Sequence, residues 1–329
     1  MIIILEGVDC AGKSQFARRL VDRLKHAYPD DLVQLLHRGP PVRHPIDEYA
    51  RPFFDYRPDR RRHVICDRWH VGESVYPNIV DRPSHLDDAV HAWLELFLVS
   101  RGAVLVYVRT TDVANLVDCA RSRDDDLNGH EVTVRATIDA FDREFSRTLL
   151  PTVTLDADGG VTDYDVATVV GAASDAALRA SSTRNAVTYV GTSSPTLLLF
   201  GDRRGVSGVP SDYGDWPAFA PYVGTSGYFL MSVLTREPLR VARHGVLLSG
   251  IGLANANDVD DPRGLWNDVG RPPVVALGVD AARKLRDVHV PARRVPHPSY
   301  WKRFRHHEPG EYFQRLFGLD DSDREVAGV

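Results

Sequence analysis

The chain has 329 residues, more than one ordinary domain needs, and its 43% hydrophobic content is enough for two buried cores. A formal charge of −5 excludes a protein that coats nucleic acid non-specifically, and the lack of any run of eighteen apolar residues excludes a helical membrane span. Cys10, Cys66 and Cys119 are odd in number and lack C-x-x-C spacing, which indicates neither a disulfide framework nor a zinc site; with a strand in place of a signal peptide, the expectation is a soluble, cytoplasmic protein.

The first predicted element is the apolar run Ile2–Leu5. It leads through Gly7-Val8-Asp9-Cys10-Ala11-Gly12-Lys13-Ser14 into a helical pattern at Phe16, Leu20, Val21 and Leu24. G-x-x-x-x-G-K-S between a buried strand and an amphipathic helix is the context of a phosphate-binding loop. Its glycines let loop amides, Gly7 and Cys10 to Gly12 among them, turn toward a polyphosphate at a helix N-terminus. Lys13 is placed to reach the outer phosphates and Ser14 to bind Mg²⁺, so ATP and Mg²⁺ are the expected cofactors. Cys10 lies within this loop, where a thiol reagent could block nucleotide binding, although such a cysteine more often serves simply as a small loop residue.

Further strands are predicted at Leu32–Leu36, Val64–Cys66, Val104–Val108 and Val153–Leu155, with helices that include Leu86–Val99 and Val132–Leu149. Short apolar strands alternating with helices imply an α/β fold with a parallel sheet covered on both faces. His37-Arg38-Gly39-Pro40-Pro41 ends the second strand and Cys66-Asp67-Arg68-Trp69 the third, at the sheet edge where such folds bind ligands. Transfer between two phosphates needs cations over donor and acceptor. Lys13, Arg38, Arg68, Arg121 and Arg123 can supply them, and Asp67 can hold hydrated Mg²⁺ with Ser14. The run Arg121-Ser122-Arg123-Asp124-Asp125-Asp126 also reads as a solvated helix end.

The ordered set I-L-E-G-V-D-C-A-G-K-S, H-R-G-P and C-D-R-W with Ser74 and Tyr76 resembles the thymidylate kinase family over roughly residues 1–170. The resemblance implies that Asp9 faces the acceptor sugar and that Arg38 and Arg68 hold the acceptor phosphate. It further implies that Glu73, Ser74 and Tyr76 line the base pocket, that Arg121 and Arg123 belong to a lid over ATP, and that the protein is a homodimer. Only about 28 residues separate Arg38 from Asp67, shorter than that family's usual stretch, although Tyr49, Phe53, Phe54 and Tyr56 are available for stacking on a base.

The Ala- and Ser-rich stretch Gly171–Asn185 suggests boundaries of 1–178 for the first domain, 179–186 for a linker, 187–319 for a second α/β domain and 320–329 for an acidic tail. In the second domain Val187–Val190, Thr196–Phe200 and Val274–Leu277 read as strands, and Ser226–Leu234, Ala281–Leu285 and Glu311–Phe317 as helical. Leu199-Phe200-Gly201-Asp202-Arg203-Arg204-Gly205, then Phe219, Asn255, Asn257 and His297-Pro298-Ser299, resemble the uracil-DNA glycosylase superfamily. That resemblance implies that Asp202 activates water, Phe219 stacks on a base, Asn255 or Asn257 reads its edge, and His297 and Ser299 contact base and DNA. Arg203 and Arg204 depart from the usual loop and could bind a phosphate or a charged substituent instead. A basic stretch from Arg283 to His307 could hold DNA phosphates; it also reads as a solvated face. His297 also reads as a structural histidine beside a proline turn.

The leading expectation is an ATP-dependent kinase of a pyrimidine deoxynucleoside monophosphate. A kinase of a hydroxymethylated pyrimidine base in DNA is the first alternative. A base-excision enzyme with an ATP-binding module is the second.

Overall fold

The computed structural model describes residues 1–58, 61–123, 129–181, 188–202, 217–236, 246–305 and 309–318. Arg203, Arg204, the acidic run after Arg123, most of the expected linker and the acidic tail lie outside these residues. The chain divides into two compact units, Met1–Asp87 with Arg101–Ser181, and Asp88–Ser100 with Ser182–Val329.

In the first unit five parallel strands form one sheet: β1 (Ile2–Glu6), β2 (Leu32–His37), β3 (Arg62–Asp67), β4 (Ala103–Arg109) and β5 (Thr152–Asp156), in the order β2-β3-β1-β4-β5. The central strands are apolar because they are covered on both faces, and β1 is buried along its whole length. Helix α1 (Lys13–Ala27) seats Phe16, Leu20 and Leu24 against Ile3, Leu5, Ile65, Val104 and Val106, and α6 (Asp163–Ser181) adds Val166, Val169 and Ala173 to the same core. Burial of each of the larger side chains stabilises by about 1.5–3 kcal/mol. Helices α2 (His70–Ile79) and α5 (Glu131–Arg147) pack on each other, and α4 (Val113–Arg121) lies against α5. The link from β1 to β2 passes one way and that from β3 to β4 the other, so the crevice between β1 and β3 is the topological switch point.

The expected linker is corrected at its start. Helix α6 continues to Ser181 because alanine favours helix and Ala173, Ala176, Ala177 and Ala180 all bury a face. A second correction concerns α3 (Asp88–Ser100), expected inside the first domain, which groups with the second unit.

The second unit holds a mixed sheet of β6 (Val190–Gly191), β7 (Leu197–Gly201), β8 (Ile251–Asn255), β9 (Val274–Leu277) and β10 (Arg293–Val295), ordered β10-β9-β7-β8-β6. Only β6 runs antiparallel, against β8. Its helices are α3, α7 (Ser226–Arg236), α8 (Pro262–Asp268), α9 (Val279–Asp287), α10 (Pro298–Phe304) and α11 (Pro309–Phe317). Helix α3 packs on α7 and β6, with Trp93 Nε1 donating to the Ala218 carbonyl at 2.9 Å. Among the described residues no helix is long and apolar enough to cross a membrane.

Candidate active site

The loop after β1 wraps around its own lysine. Lys13 Nζ donates to the carbonyls of Gly7 and Val8 at 2.8 Å each and lies 3.6 Å from Asp9 Oδ1. Burial pulls the ammonium pKa down, and the neighbouring Asp9 carboxylate opposes that pull. Gly7 adopts φ 141°, and a Cβ there would stand 2.4 Å from the Val108 carbonyl oxygen, so the turn can pass β4 only as glycine. Gly12 sits at the N-cap of α1, and Cys10 and Ala11 complete the cradle.

Ser14 and Asp67, distant in sequence, meet across the crevice between β1 and β3. Ser14 Oγ donates to Asp67 Oδ2 at 2.6 Å, and His37 Nδ1 lies 3.5 Å from the same oxygen. Asp67 Oδ1 is buried and has no hydrogen-bond partner among the described residues. A hydroxyl beside a carboxylate with one free oxygen is a hard, all-oxygen donor set that suits Mg²⁺.

A pocket of about 240 Å³ opens beside the loop, with Asp9, Arg38, Arg68 and Tyr76 on its wall. Arg68 holds a left-handed backbone (φ 65°) and sets one guanidinium nitrogen 2.6 Å from Asp9 Oδ1. Arg38 Nε is buried without a hydrogen-bond partner among the described residues. Trp69 and Tyr49 form an aromatic wall, their rings 5.6 Å apart, with the indole Nε1 donating to the Tyr49 carbonyl. Glu73 also lines the pocket, but Arg82 occupies both its oxygens at 2.9 and 2.6 Å and the His85 amide donates to one of them. Burial alone would raise the Glu73 pKa; these donors outweigh it and hold the carboxyl below its usual range. Ser74 stands outside the pocket lining.

Two residues here carry no motif signal of their own. Arg82 follows α2 in an irregular turn, and only the fold brings it to Glu73. Glu6 closes the apolar run of β1, where an acid breaks the buried pattern, and that break was its one visible sign. Its Oε1 accepts from the amides of Trp69, Val71 and Gly72 at 2.8, 3.1 and 3.3 Å, fixing the backbone that carries Arg68. Burial pushes its pKa up to about 7, against the pull of those amides and Lys13.

The two arginines of the expected lid separate. Arg123 lies near enough to Cys10 for its charge to act on that thiol, whereas Arg121 is exposed and donates to the Gly129 carbonyl at 3.1 Å.

In the second unit several of the expected residues gather at the carboxyl ends of β7 and β8 and beyond β10. A Cβ on Gly201 would stand 2.4 Å from the Phe219 ring and 2.9 Å from Asn255 Oδ1, so the missing side chain admits both groups. Phe219 has φ 55°, rare for an aromatic residue. Asn255 is buried and its Nδ2 donates to Asp258 at 3.1 Å, while Asn257 is exposed. Asp202 Oδ1 accepts from the Ala281 amide in the first turn of α9 at 2.6 Å, which gives the carboxylate a structural bond. His297 Nδ1 accepts from the Ser299 amide at 3.1 Å. Burial lowers the imidazole pKa against the pull of Asp202, so the neutral ring carries its proton on Nε2.

No family model matches the sequence, and no curated protein matches it. Solved structures give distant likenesses. The YorR protein of Bacillus subtilis, in complex with phosphorylated GDP, is 20% identical with a TM-score of 0.39, over 52% of this chain and 93% of that one. Deoxyadenosine kinase from M. mycoides with bound dCTP is 12% identical with a TM-score of 0.32, over 52% and 97%. A putative polyphosphate kinase 2 from Pseudomonas aeruginosa PA01 is 12% identical with a TM-score of 0.36, over 97% and 82%. At such scores the functional reading rests on the geometry of the site.

Proposed function

We propose that the first unit transfers the γ-phosphoryl group of ATP to a pyrimidine deoxynucleoside monophosphate. The observation that carries this reading is the Ser14–Asp67 contact, beside a lysine-bearing loop that opens on a pocket walled by Asp9, Arg38 and Arg68. Lys13 leaves the loop carbonyls to neutralise donor oxygens, and Ser14 and Asp67 would hold Mg²⁺. When bound, the metal offsets phosphate charge. Arg38, whose buried Nε has no hydrogen-bond partner among the described residues, offers its guanidinium to the acceptor phosphate, and Arg68 joins it by turning from Asp9, which frees that carboxylate for a sugar hydroxyl. The Tyr49–Trp69 wall suits a planar base, and the Glu73–Arg82 pair gives its edge both an acceptor and a donor. Arg123 closes over the transferring group.

A second reading keeps the kinase and makes the acceptor a hydroxymethylated pyrimidine in DNA. The contact of Gly201 with Phe219 and Asn255 supports it, because an aromatic face and a buried amide together suit a base. The test is γ-labelled ATP with Mg²⁺, offered deoxynucleoside monophosphates on one side and duplex DNA containing thymine, uracil or 5-hydroxymethyluracil on the other. Label in a diphosphate supports the first reading and label in DNA the second. Abasic sites formed without any label transfer would replace both with base excision.

A further inference from the structure

Helix α9, the turn after it and β10 surround an open groove of about 630 Å³ in the second unit. Arg283, Arg286, His289 and Arg294 line it, all exposed, over a floor that includes Ala282 and Val290. Phosphoryl transfer, placed in the first unit, uses none of these groups. Arg283 pairs with Asp280 at 3.2 Å, both well exposed, which leaves its charge largely available. Asp287, the other acid of α9, lies outside the lining. Among the described residues no acidic group pairs with Arg286, His289 or Arg294.

Fold stability accounts for only part of this cluster. A cation in the last turn of a helix complements its dipole, which gives Arg286 a structural use. Arg294 has none of that kind. Side chains alternate along a strand, so Arg293 turns to the carbonyls of Arg315 and Leu316 and closes α11, while Arg294 faces the groove. His289 holds φ 58°, and the amides of His289 and Val290 donate to the carbonyls of Arg286 and Leu285. This helix ending favours glycine at the left-handed position, yet here it carries an imidazole at the groove.

We propose that this groove is a track for the phosphate backbone of DNA. A guanidinium is a planar fork that meets two phosphate oxygens at once, and three of them stand here with a ring donor. The groove follows a helix about 13 Å long, the rise of roughly four base pairs, which suits a chain of phosphates better than a single anion. The chain's charge of −5 does not oppose this, because salt at 0.1 M confines the field of distant acids to about 10 Å. The choice of DNA rests on the second reading above. Gly201 meets Phe219 and Asn255, and the next residue, Asp202, accepts from the Ala281 amide in the first turn of α9. A strand whose base enters that contact has the groove within reach along α9.

The test is fluorescence anisotropy of a labelled duplex of about 20 base pairs, titrated with the full-length protein between about 50 and 200 mM salt. Affinity should fall as salt rises. Arg286→Gln with Arg294→Gln should flatten the log–log slope by about 2 and weaken binding on the order of tenfold or more at the lower salt. Arg286→Lys with Arg294→Lys keeps both charges and should keep the slope. Arg135→Gln with Arg147→Gln removes the same charge from exposed sites on α5 and should leave the slope as it is. A wild type that binds no duplex, a slope unchanged in the Arg286 and Arg294 glutamine pair, or one equally flattened by the α5 pair would overturn the proposal. Poly-glutamate that displaces the duplex charge for charge would replace DNA with an acidic protein partner. Binding is read apart from transfer. Duplex held on the track with no label entering DNA removes the second reading and leaves the track, whereas label in DNA with an unchanged slope removes the track alone.

Discussion

Single residues divide by whether their partners are neighbours in sequence. Lys13 and Ser14 were legible because a phosphate loop is contiguous, and Asp67 because it ends an apolar run. Lys13→Ala should lower phosphoryl transfer by about 10³-fold, since it removes the cation nearest the developing charge; steady-state rates on labelled ATP check this. Glu6 was hidden, because its partners are backbone amides at 69 to 72, which no side-chain pattern announces. It makes a pH prediction. Its folded pKa, about 7, stands above the ordinary value of 4.5, so the folded state binds the extra proton between those values. The stabilising contribution is whole below about pH 4.5 and is lost as pH rises through 7, on the order of 3 kcal/mol in all. Urea denaturation of wild type and Glu6→Gln at pH 5 and pH 8 tests it. The variant should show a flatter dependence, and parallel slopes would refute the assignment.

At the scale of elements, buried parallel strands write themselves as apolar runs, which is why β1, β3, β4 and β9 could be read directly. The edge strand β10 could not, because Arg293 and Arg294 stand where a covered strand would be apolar. Close approaches between elements were hidden as well. Gly7→Ala would drive a methyl into the Val108 carbonyl on β4 in a left-handed backbone, with no flexible side chain able to yield. A loss of about 2–4 kcal/mol in unfolding free energy is expected, read from denaturation midpoints. Gly201→Ala meets a different obstacle, the edge of the Phe219 ring. The ring can swing away, so the fold should survive at a cost of about 1–3 kcal/mol; on the second reading proposed above, affinity for a base should fall as well. Titration with DNA carrying an extruded pyrimidine measures the second effect, and unchanged affinity would remove Phe219 from base recognition.

The whole molecule divides within its composition change, between Ser181 and Ser182, but not only there. The alanine- and serine-rich stretch invites a cut after Ser181 to release the first unit. Yet α3, encoded before that cut, belongs to the second unit and packs on α7 and β6. Its helical period was legible, but a period does not say which neighbour covers it. Trp93, Leu94 and Phe97 have no exposed surface in the full chain. Stripping cover from three such side chains forfeits about 5–9 kcal/mol at most, comparable with the 5–15 kcal/mol that holds a typical domain together. A fragment ending at Ser181 should therefore bind a hydrophobic dye and unfold at lower urea, without a sharp transition. A cooperative transition at the full-length midpoint would show that α3 can do without the second unit. The outcome also governs how the acceptor is tested. If the fragment fails, loss of transfer to DNA on truncation says nothing about base recognition, and Gly201→Ala in the full chain becomes the variant that separates a recognition role from a structural one.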